Sequence, residues 1–297
     1  METLFLKLLN MSFTACWIIL AVVLLRFLLK KAPRSILCAL WALAGIRLVF
    51  PFSFESVFSL VPKFGNSSPS FTVDVPDFDL NTVPNNYPVQ SEPIIGNIDG
   101  ETISSVADSS PSLMYILSLV WVVGMFILLV YALVSYLRLR KVVSESVCLD
   151  KNIYICDRID SPFILGLILP KIYLPSTMSE AISESVIAHE RAHLKRLDHI
   201  WKPLGFLILV VHWFNPLVWV AYVLLCRDIE LACDESVIKN MSVENRKIYS
   251  TALLDCSIHR KYIAACPLAF GEVGVKERIK NILNYKKPAF WLILAAV

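Results

Sequence analysis

Apolar residues along this chain are collected into long runs that are separated by mainly polar stretches. Residues 13–29 and 36–52 form two such runs, and residues 113–137 form a third that is the most continuous. A run of about 20 apolar residues is long enough for a helix to cross the hydrocarbon core of a bilayer. The pattern therefore predicts two transmembrane helices within residues 1–52 and a third at residues 113–137.

The segment between the second and third runs, residues 53–112, has the opposite character. It is rich in Ser, Pro and Asn, and it carries eight acidic residues against a single basic residue, Lys63. Such a composition cannot bury enough apolar surface to form a core. We predict an irregular polar loop.

Basic residues follow the first and the third apolar run. Lys30 and Lys31 come after the first, and Arg138, Arg140 and Lys141 come after the third. Because Lys and Arg accumulate on the cytoplasmic side of membrane spans, both positions are assigned to the cytosol. The polar loop is then extracytoplasmic, the amino terminus is outside, and the chain from residue 138 onward begins in the cytoplasm.

Residues 138–287 show the shorter, mixed pattern of a small domain. Residues 152–156 and 171–174 are typical of strands, and residues 183–195 are typical of a helix. The apolar run at residues 161–170 is interpreted as core packing, with addition of an extended substrate strand as the alternative.

Residues 201–228 contain a fourth apolar run, which is interrupted at Asn215-Pro216. Proline breaks a helix and restricts the residue before it. We therefore predict two helical arms, residues 198–213 and 216–232, that dip into the membrane and return to the same side as a hairpin. A straight crossing would instead carry the following residues to the outside, about 30 Å away.

Composition agrees with a membrane protein. Apolar residues make up 56% of the 297 residues, and the mean hydropathy is +0.62. A net charge of +3 gives no indication of direct nucleic-acid binding. The eight cysteines include no Cys-x-x-Cys pair and none lies in the polar loop, so a disulfide framework is not expected. Residues 288–297 begin a last apolar run, which we interpret as the start of a transmembrane helix that is truncated in this chain.

The chemistry-bearing motif is His189-Glu190-Arg191-Ala192-His193. Residues four apart share one face of a helix, so both imidazoles can bind one metal ion. Glu190 follows the first histidine, where its carboxylate can reach a water on that metal. The motif predicts a zinc hydrolase; the alternative is a solvated helix face that carries two histidines.

A catalytic zinc needs three protein ligands and an open position for water. Glu230 is the better candidate for the third ligand, because two histidines and one glutamate form the ligand set of thermolysin-like enzymes. Asp234, four residues later on the same helix face, could accept the free ring N–H of a ligand histidine.

His199 is the other candidate for the third ligand, since it lies ten residues after His189. Enzymes that use this spacing need a glycine where this chain has Arg196. We expect the helix to continue through Arg196 and to rotate His199 away from the ligand face.

Several motifs together resemble the BlaR/MecR antirepressor metallopeptidases. They are Ser161-Pro162-Phe163, the histidine motif, Trp213-Phe214-Asn215-Pro216, Glu230-Leu231-Ala232-Cys233-Asp234 and Lys276-Glu277-Arg278-Ile279-Lys280. The resemblance implies a mainly α, multi-span membrane bundle with an embedded gluzincin-like zinc protease domain that contains a small β-sheet. It implies zinc ligands His189, His193 and Glu230, with Glu190 as the catalytic glutamate at the cytoplasmic face.

Members of that family that sense β-lactams carry an extracellular penicillin-binding domain, trigger cleavage of a cytoplasmic repressor and can cleave themselves. The expected function is therefore a zinc endopeptidase that acts on a cytoplasmic protein, such as a transcriptional repressor, in signal-triggered regulation. The inducer is left open, because these 297 residues include no such sensor domain.

Two functions of other classes compete with this reading. The first is a signal-transducing receptor with a structural zinc site, for which Cys233 is the nearby candidate for a fourth ligand. A transporter ranks lower, since no inverted repeat is evident in the sequence.

Overall fold

The computed structural model describes residues 1–29, 32–50, 113–258 and 274–285. The predicted polar loop at 53–112 and the last apolar run at 288–297 lie outside these ranges. The described helices are α1 (Glu2–Leu28), α2 (Arg34–Val49), α3 (Leu113–Val142), α4 (Glu180–Lys195), α5 (Asp198–Val211), α6 (Pro216–Ile238), α7 (Val243–Ile258) and α8 (Val275–Leu283). The described strands are β1 (Val147–Asp150), β2 (Ile153–Cys156), β3 (Phe163–Leu165) and β4 (Lys171–Pro175). This content confirms the prediction of a mainly α protein with a small β-sheet.

Two of the described helices, α1 and α3, are long and apolar enough to cross a membrane by length and composition. Their most apolar windows have mean hydropathies of 2.3 and 2.7. Helix α2 has only 16 residues, which is short for a span. Along α3 the buried residues are Ser118, Trp121 and Ser135. Most of the apolar surface of α3 is therefore not covered by other described residues.

The main apolar core lies between α1, α2, α5 and α6. Its buried members include Ala15, Ile19, Trp41, Leu209 and Tyr222. Helix α6 is the central element, since it packs against α1, α2, α4, α5 and α8. Seven consecutive residues of α6, 228–234, are consequently buried.

A buried ion pair fixes α6 to the amino-terminal helices. Asp228 has no exposed surface, and both of its carboxylate oxygens accept hydrogen bonds from Nε of Arg26, at 2.9 and 3.1 Å. Nε1 of Trp41 donates to the same carboxylate at 2.9 Å. Burying a charge costs several kcal/mol unless a partner offsets it, so this contact constrains how α1 and α2 sit on α6.

Helices α5 and α6 form an antiparallel hairpin around Asn215. The Asn215 side chain caps α6 by accepting a hydrogen bond from the Leu217 amide, and Pro216 occupies the first turn, where its missing N–H costs nothing. At Gly205 on α5 an added Cβ would lie 3.1 Å from Leu225 on α6, so the two arms pack closely. The chain therefore folds back instead of running straight through this region.

The four strands form one sheet in the order β1-β2-β4-β3, with β2 and β4 parallel and the outer strands antiparallel to their neighbours. One face packs against the end of α3, where Tyr136, Leu139 and Val142 contact the cluster that includes Cys156 and Leu165. The other face packs on α4, with Ile172 and Leu174 against Val186. The sheet thus holds α4 beside the end of α3. Strand β1 was not predicted, because all four of its residues are exposed and give no alternating pattern.

Replacement of Asp228 by Asn should destabilise the protein, because Arg26 would be left with an uncompensated charge in a mainly buried position. We expect a loss of about 3–5 kcal/mol in the free energy of unfolding, the usual effect of breaking a buried pair. Thermal and denaturant unfolding in detergent measures this loss. The double variant Arg26→Met/Asp228→Asn should recover most of it, while Asp157→Asn at an exposed turn serves as the control. Equal stability of single variant and wild type would contradict the structural role of the pair.

Candidate metal centre

Two histidines on α4 provide the first part of the site. His189 and His193 lie one helical turn apart, and each side chain is buried. Their Nε2 atoms are 3.1 Å apart, with the ring planes nearly perpendicular. Both rings therefore present the same nitrogen to one point.

Glu230 on α6 supplies the third donor. Its Oε2 lies 3.5 Å from Nε2 of His189, and its Oε1 lies 3.5 Å from Nε2 of His193. Nitrogen and oxygen ligands bind zinc at about 2.0–2.2 Å, so ligand atoms in a tetrahedral site are roughly 3.3–3.6 Å apart. Both distances to Glu230 fall in this range, and the 3.1 Å between the two Nε2 atoms is about 0.2 Å shorter. The three side chains therefore fit a zinc ion by chemistry and nearly by spacing.

The other ring nitrogen of each histidine is held by the protein. Nδ1 of His193 lies 2.8 Å from Oδ2 of Asp198, and Nδ1 of His189 lies 2.7 Å from the hydroxyl of Tyr249. The Tyr249 hydroxyl donates in turn to Asp234 at 2.8 Å. Burial first, and then the Asp234 charge, raise the pKa of Tyr249 well above its ordinary value, so the phenol stays protonated. Partners of this kind fix the tautomer that leaves Nε2 free for a metal.

Asp234 was predicted to accept directly from a ligand histidine. The structure places its Oδ1 3.4 Å from Nδ1 of His189, with the hydroxyl of Tyr249 bridging the two groups. The carboxylate therefore acts on His189 mainly through this tyrosine.

Three carboxylates around the histidines, those of Glu230, Asp198 and Asp234, are each paired with a cation. Nζ of Lys202 is 2.7 Å from Glu230, and Nε of Arg196 is 3.3 Å from Asp198. Arg278 on α8 binds Asp234 through two hydrogen bonds of 2.8 Å. Burial alone would raise the pKa of Glu230, but Lys202, then His193 and Arg278, hold it well below its usual range. The glutamate is therefore ionised, as a metal ligand must be.

Arg278 also lies against the ligand atoms themselves. One terminal nitrogen of its guanidinium is 3.2 Å from Nε2 of His189, and the other is 3.3 Å from Oε2 of Glu230. A metal bound to Nε2 of His189 would use the lone pair that now accepts from Arg278, so it would replace this contact. The two hydrogen bonds from Arg278 to Asp234 would remain.

Glu190 lies at the edge of a pocket that borders the centre. The pocket is lined by Pro162, Val186, His189, Glu190, Tyr249 and Arg278, among others. Glu190 is 8% exposed, and no hydrogen bond or ion pair joins its carboxylate to another described residue. The carboxylate is therefore free to exchange a proton with a molecule in the pocket.

His199 is not brought to the metal-facing side of the histidine pair. The sequence predicts one helix that continues through Arg196. In the structure the helix ends there, because Leu197 adopts a left-handed conformation (φ 59°) that separates α4 from α5. The turn directs Asp198, rather than His199, toward His193, and the Nδ1 atom of His199 is buried without a partner among the described residues.

Cys233 is the competing donor. Together with the two histidines it forms a group whose donor atoms lie within 4.8 Å of one another. Its Sγ lies 3.6 Å from Nδ1 of His189 and donates to the His189 carbonyl oxygen at 3.4 Å. It therefore sits on the side of His189 that Tyr249 occupies, whereas Glu230 sits on the side where the Nε2 atoms meet. We favour Glu230 on that geometry.

Sequence reasoning did not predict the contacts that three residues make with the histidines: Asp198, Tyr249 and Arg278. A carboxylate five residues after the second histidine is a signal that could have identified Asp198. Tyr249 and Arg278 stand 60 and 89 residues from His189, and only the packing of α7 and α8 brings them close.

Comparison with known proteins adds a family assignment. A family model described as BlaR1 peptidase M56 matches residues 6–282. The chain is 24% identical over 303 residues to the methicillin resistance mecR1 protein of Staphylococcus aureus, covering 90% of this chain and 49% of the relative. It is 25% identical to the regulatory protein BlaR1 of Staphylococcus aureus (95% of this chain, 51% of the relative) and of Bacillus licheniformis (60% and 36%). The chain thus spans about half the length, or less, of these relatives.

Removal of the Asp198 carboxylate should weaken metal binding, because Nδ1 of His193 would lose the acceptor that orients the ring. Asp198→Ala is expected to lower zinc affinity about 10–100-fold, and Asp198→Asn, which keeps an acceptor oxygen, by less. Competition with a chromophoric chelator measures the affinity. Asp157→Ala, at an exposed turn, is the control; an unchanged affinity in Asp198→Ala would contradict the assigned role.

The two alternative ligand sets can be separated by metal analysis of purified protein. If Glu230 is the third ligand, Glu230→Gln should lose most of its zinc, whereas Cys233→Ala should retain one zinc per chain. The reverse result would assign the thiol as ligand. Unfolding temperatures of both variants show whether a loss of zinc reflects the site or the fold.

Proposed function

The chain belongs to the BlaR1 peptidase M56 family, and we propose that it is a membrane-embedded zinc endopeptidase that cleaves a cytoplasmic protein. The family match confirms the resemblance carried by the sequence motifs. One observation carries the proposed activity: the Nε2 atoms of His189 and His193 meet the Glu230 carboxylate at zinc-ligand spacing, beside a pocket that holds Glu190, whose carboxylate has no partner among the described residues.

A zinc ion held by His189, His193 and Glu230 would supply a Lewis acid and a bound water of lowered pKa. Glu190 would take up a proton from a water molecule in the pocket and pass it to the leaving amine. Its position in the pocket, without a competing partner among the described residues, supports this role. The outer hydrogen bonds of both histidines keep the ligand rings in a fixed orientation during the reaction.

Arg278 is the best candidate to bind the substrate carbonyl or the oxyanion that develops from it. Its guanidinium is fixed by Asp234 and lines the pocket next to Glu190. By residue type alone, Arg227, Tyr249 and His259 are also candidates for this role. Arg227 is paired with Glu277, the Tyr249 hydroxyl is engaged by Asp234 and His189, and His259 lies outside the described residues. A preorganised cation at this position stabilises negative charge without reorganisation.

We propose that α1 and α3 span the membrane, that α2 crosses it as well despite its length of 16 residues, and that the α5–α6 hairpin dips into it from the cytoplasmic side. The uncovered apolar surface of α3 supports this arrangement, as does the interruption of the hairpin at Asn215, which is buried and bonded to Ser12 of α1. The amino terminus is then outside and the metal centre lies at the cytoplasmic face.

The names of the relatives suggest where such a peptidase acts. They are a methicillin resistance protein and regulatory proteins named BlaR1, so we propose a role in signal-triggered regulation such as the response to β-lactams. The substrate is a cytoplasmic protein such as a transcriptional repressor, and the enzyme itself is a second substrate. Because the chain spans about half of those relatives, the signal it responds to is not assigned.

A second candidate function is a signal-transducing receptor whose zinc is structural. The closeness of Cys233 to both histidines is the observation that favours it, because a fourth protein ligand would close the site to water. The position of its sulfur on the Nδ1 side of His189 speaks against it.

Glu190→Gln should abolish proteolysis and leave zinc bound, because the amide cannot accept a proton but is not a ligand. Loss of general-base catalysis typically costs about 10²–10⁴ in rate. New protein amino termini in cells that carry the wild-type or the Gln variant, together with zinc content of the purified proteins, measure both effects. Glu184→Gln, at an exposed position on the same helix, is the matched control. Retained cleavage in Glu190→Gln, or loss of its zinc, would reject the assignment.

A further inference from the structure

The turn between β3 and β4 exposes three consecutive large apolar side chains. Leu167, Ile168 and Leu169 are 58%, 89% and 79% exposed. Gly166 starts the turn with a positive φ of 113°, and an added Cβ there would lie 2.6 Å from the carbonyl oxygen of Leu169. Only glycine fits this tight conformation, so the backbone holds the three side chains out at a defined tip. We call residues 167–169 the hairpin tip.

The strand register fixes which end of the sheet carries the tip. Leu165 pairs with Lys171, and the amide of the next residue, Ile172, bonds to the carbonyl of Asn152 in the β1–β2 turn. Both turns therefore lie at the same end of the sheet. At the opposite end, the Cys156 thiol contacts the carbonyl oxygen of Val142, the last residue of α3. The tip thus lies at the end of the sheet away from the carboxyl terminus of α3.

The packing of the sheet on α3 shows which part of that helix the tip faces. Leu165, next to the turn, belongs to the apolar cluster formed with Tyr136 and Leu139, which precede Val142 by one to two helical turns. The sheet therefore runs back along α3 from Val142, and the tip points toward the apolar part of that helix. The side chain of Arg191 on α4 approaches Asp150 at this end of the sheet, 3.8 Å away. Helix α4 ends four residues later, and it is followed by α5, the first arm of the α5–α6 hairpin.

Charges near the tip match a bilayer surface. Lys151, Lys171 and Arg191 lie around this end of the sheet, and Asp150, which approaches Arg191, is the acidic group among them. Nζ of Lys171 sits 4.3 Å from the ring centroid of Tyr154. An apolar tip with basic side chains behind it is the pattern of segments that enter the acyl region while the cations meet lipid phosphates. A site for a soluble partner would not need to face the apolar length of α3.

We propose that the hairpin tip inserts into the cytoplasmic leaflet and anchors the sheet, and with it α4, to the membrane. The inference rests on the membrane placement given under the proposed function. It has a consequence for the substrate. Pro162, at the other end of β3, lines the pocket beside Glu190, so a tip held in lipid leaves the pocket turned toward the cytosol.

Site-specific photo-crosslinking in liposomes that contain phosphatidylglycerol tests the anchor. The full chain carries p-benzoylphenylalanine in place of Ile168 at the tip, of Phe126 on the exposed face of α3, or of Asp160 at the far end of the sheet. We expect lipid adducts, detected by mass spectrometry of the peptide, at positions 126 and 168 and none at 160. The zinc content of each protein shows that the fold around the centre is intact.

The outcomes separate the anchor from the membrane placement. Adducts at 126 but not at 168 would overturn the anchor and leave the placement standing. No adduct at either position would overturn the placement and the anchor together. The same three proteins are also irradiated in cells. A protein adduct at position 168 in place of a lipid adduct would identify the tip as a protein-docking site and overturn the proposal.

Discussion

Three buried carboxylates on α6 set the requirements that the other helices meet. Asp228, Glu230 and Asp234 are each at most 3% exposed, and a buried charge is tolerated only when it is paired. Each obtains its cation from a different helix: Arg26 from α1, Lys202 from α5 and Arg278 from α8. Successive helical residues are rotated by about 100°, so Asp228 faces away from the other two. One helix thereby fixes the amino-terminal bundle on one side and the metal centre on the other.

The pairing explains why the ligand side chains are already arranged for a metal. Arg196, Lys202 and Arg278 offset Asp198, Glu230 and Asp234 one to one. Glu190 then leaves about one negative charge beside the histidines before an ion binds. A divalent cation would then leave the pocket with excess positive charge. In the proposed reaction, that excess would stabilise the negative charge that a peptide carbonyl gains during hydrolysis. The same network makes α8 part of the centre, although Arg278 lies 44 residues from Asp234.

Features that follow from local chemistry could be predicted from the sequence, and features that need long-range packing could not. The two-residue signal Asn215-Pro216 was enough to predict a hairpin that returns Glu230 to the level of α4, since capping and helix breaking are local. Tyr249 and Arg278 carry no local signal for their roles, because α7 and α8 reach His189 only through tertiary contacts. His199 was set aside on the expectation of a continuous helix through Arg196, and the structure does not have that helix. A left-handed Leu197, which no propensity favours, ends the helix and delivers Asp198 to His193.

The ring nitrogen that each histidine directs toward the other decides whether the pair suits a catalytic or a structural metal site. Both rings give Nδ1 to protein groups and direct Nε2 toward each other and toward Glu230. Cys233 lies on the Nδ1 side of His189, so the thiol could become a ligand only if that ring gave up its bond to Tyr249 and turned over. In the proposed site, the described residues would supply both Nε2 atoms and the Glu230 carboxylate to the metal, and the remaining side borders the pocket where Glu190 lies. A fourth position left open to water is what a catalytic zinc site has and a structural zinc site lacks.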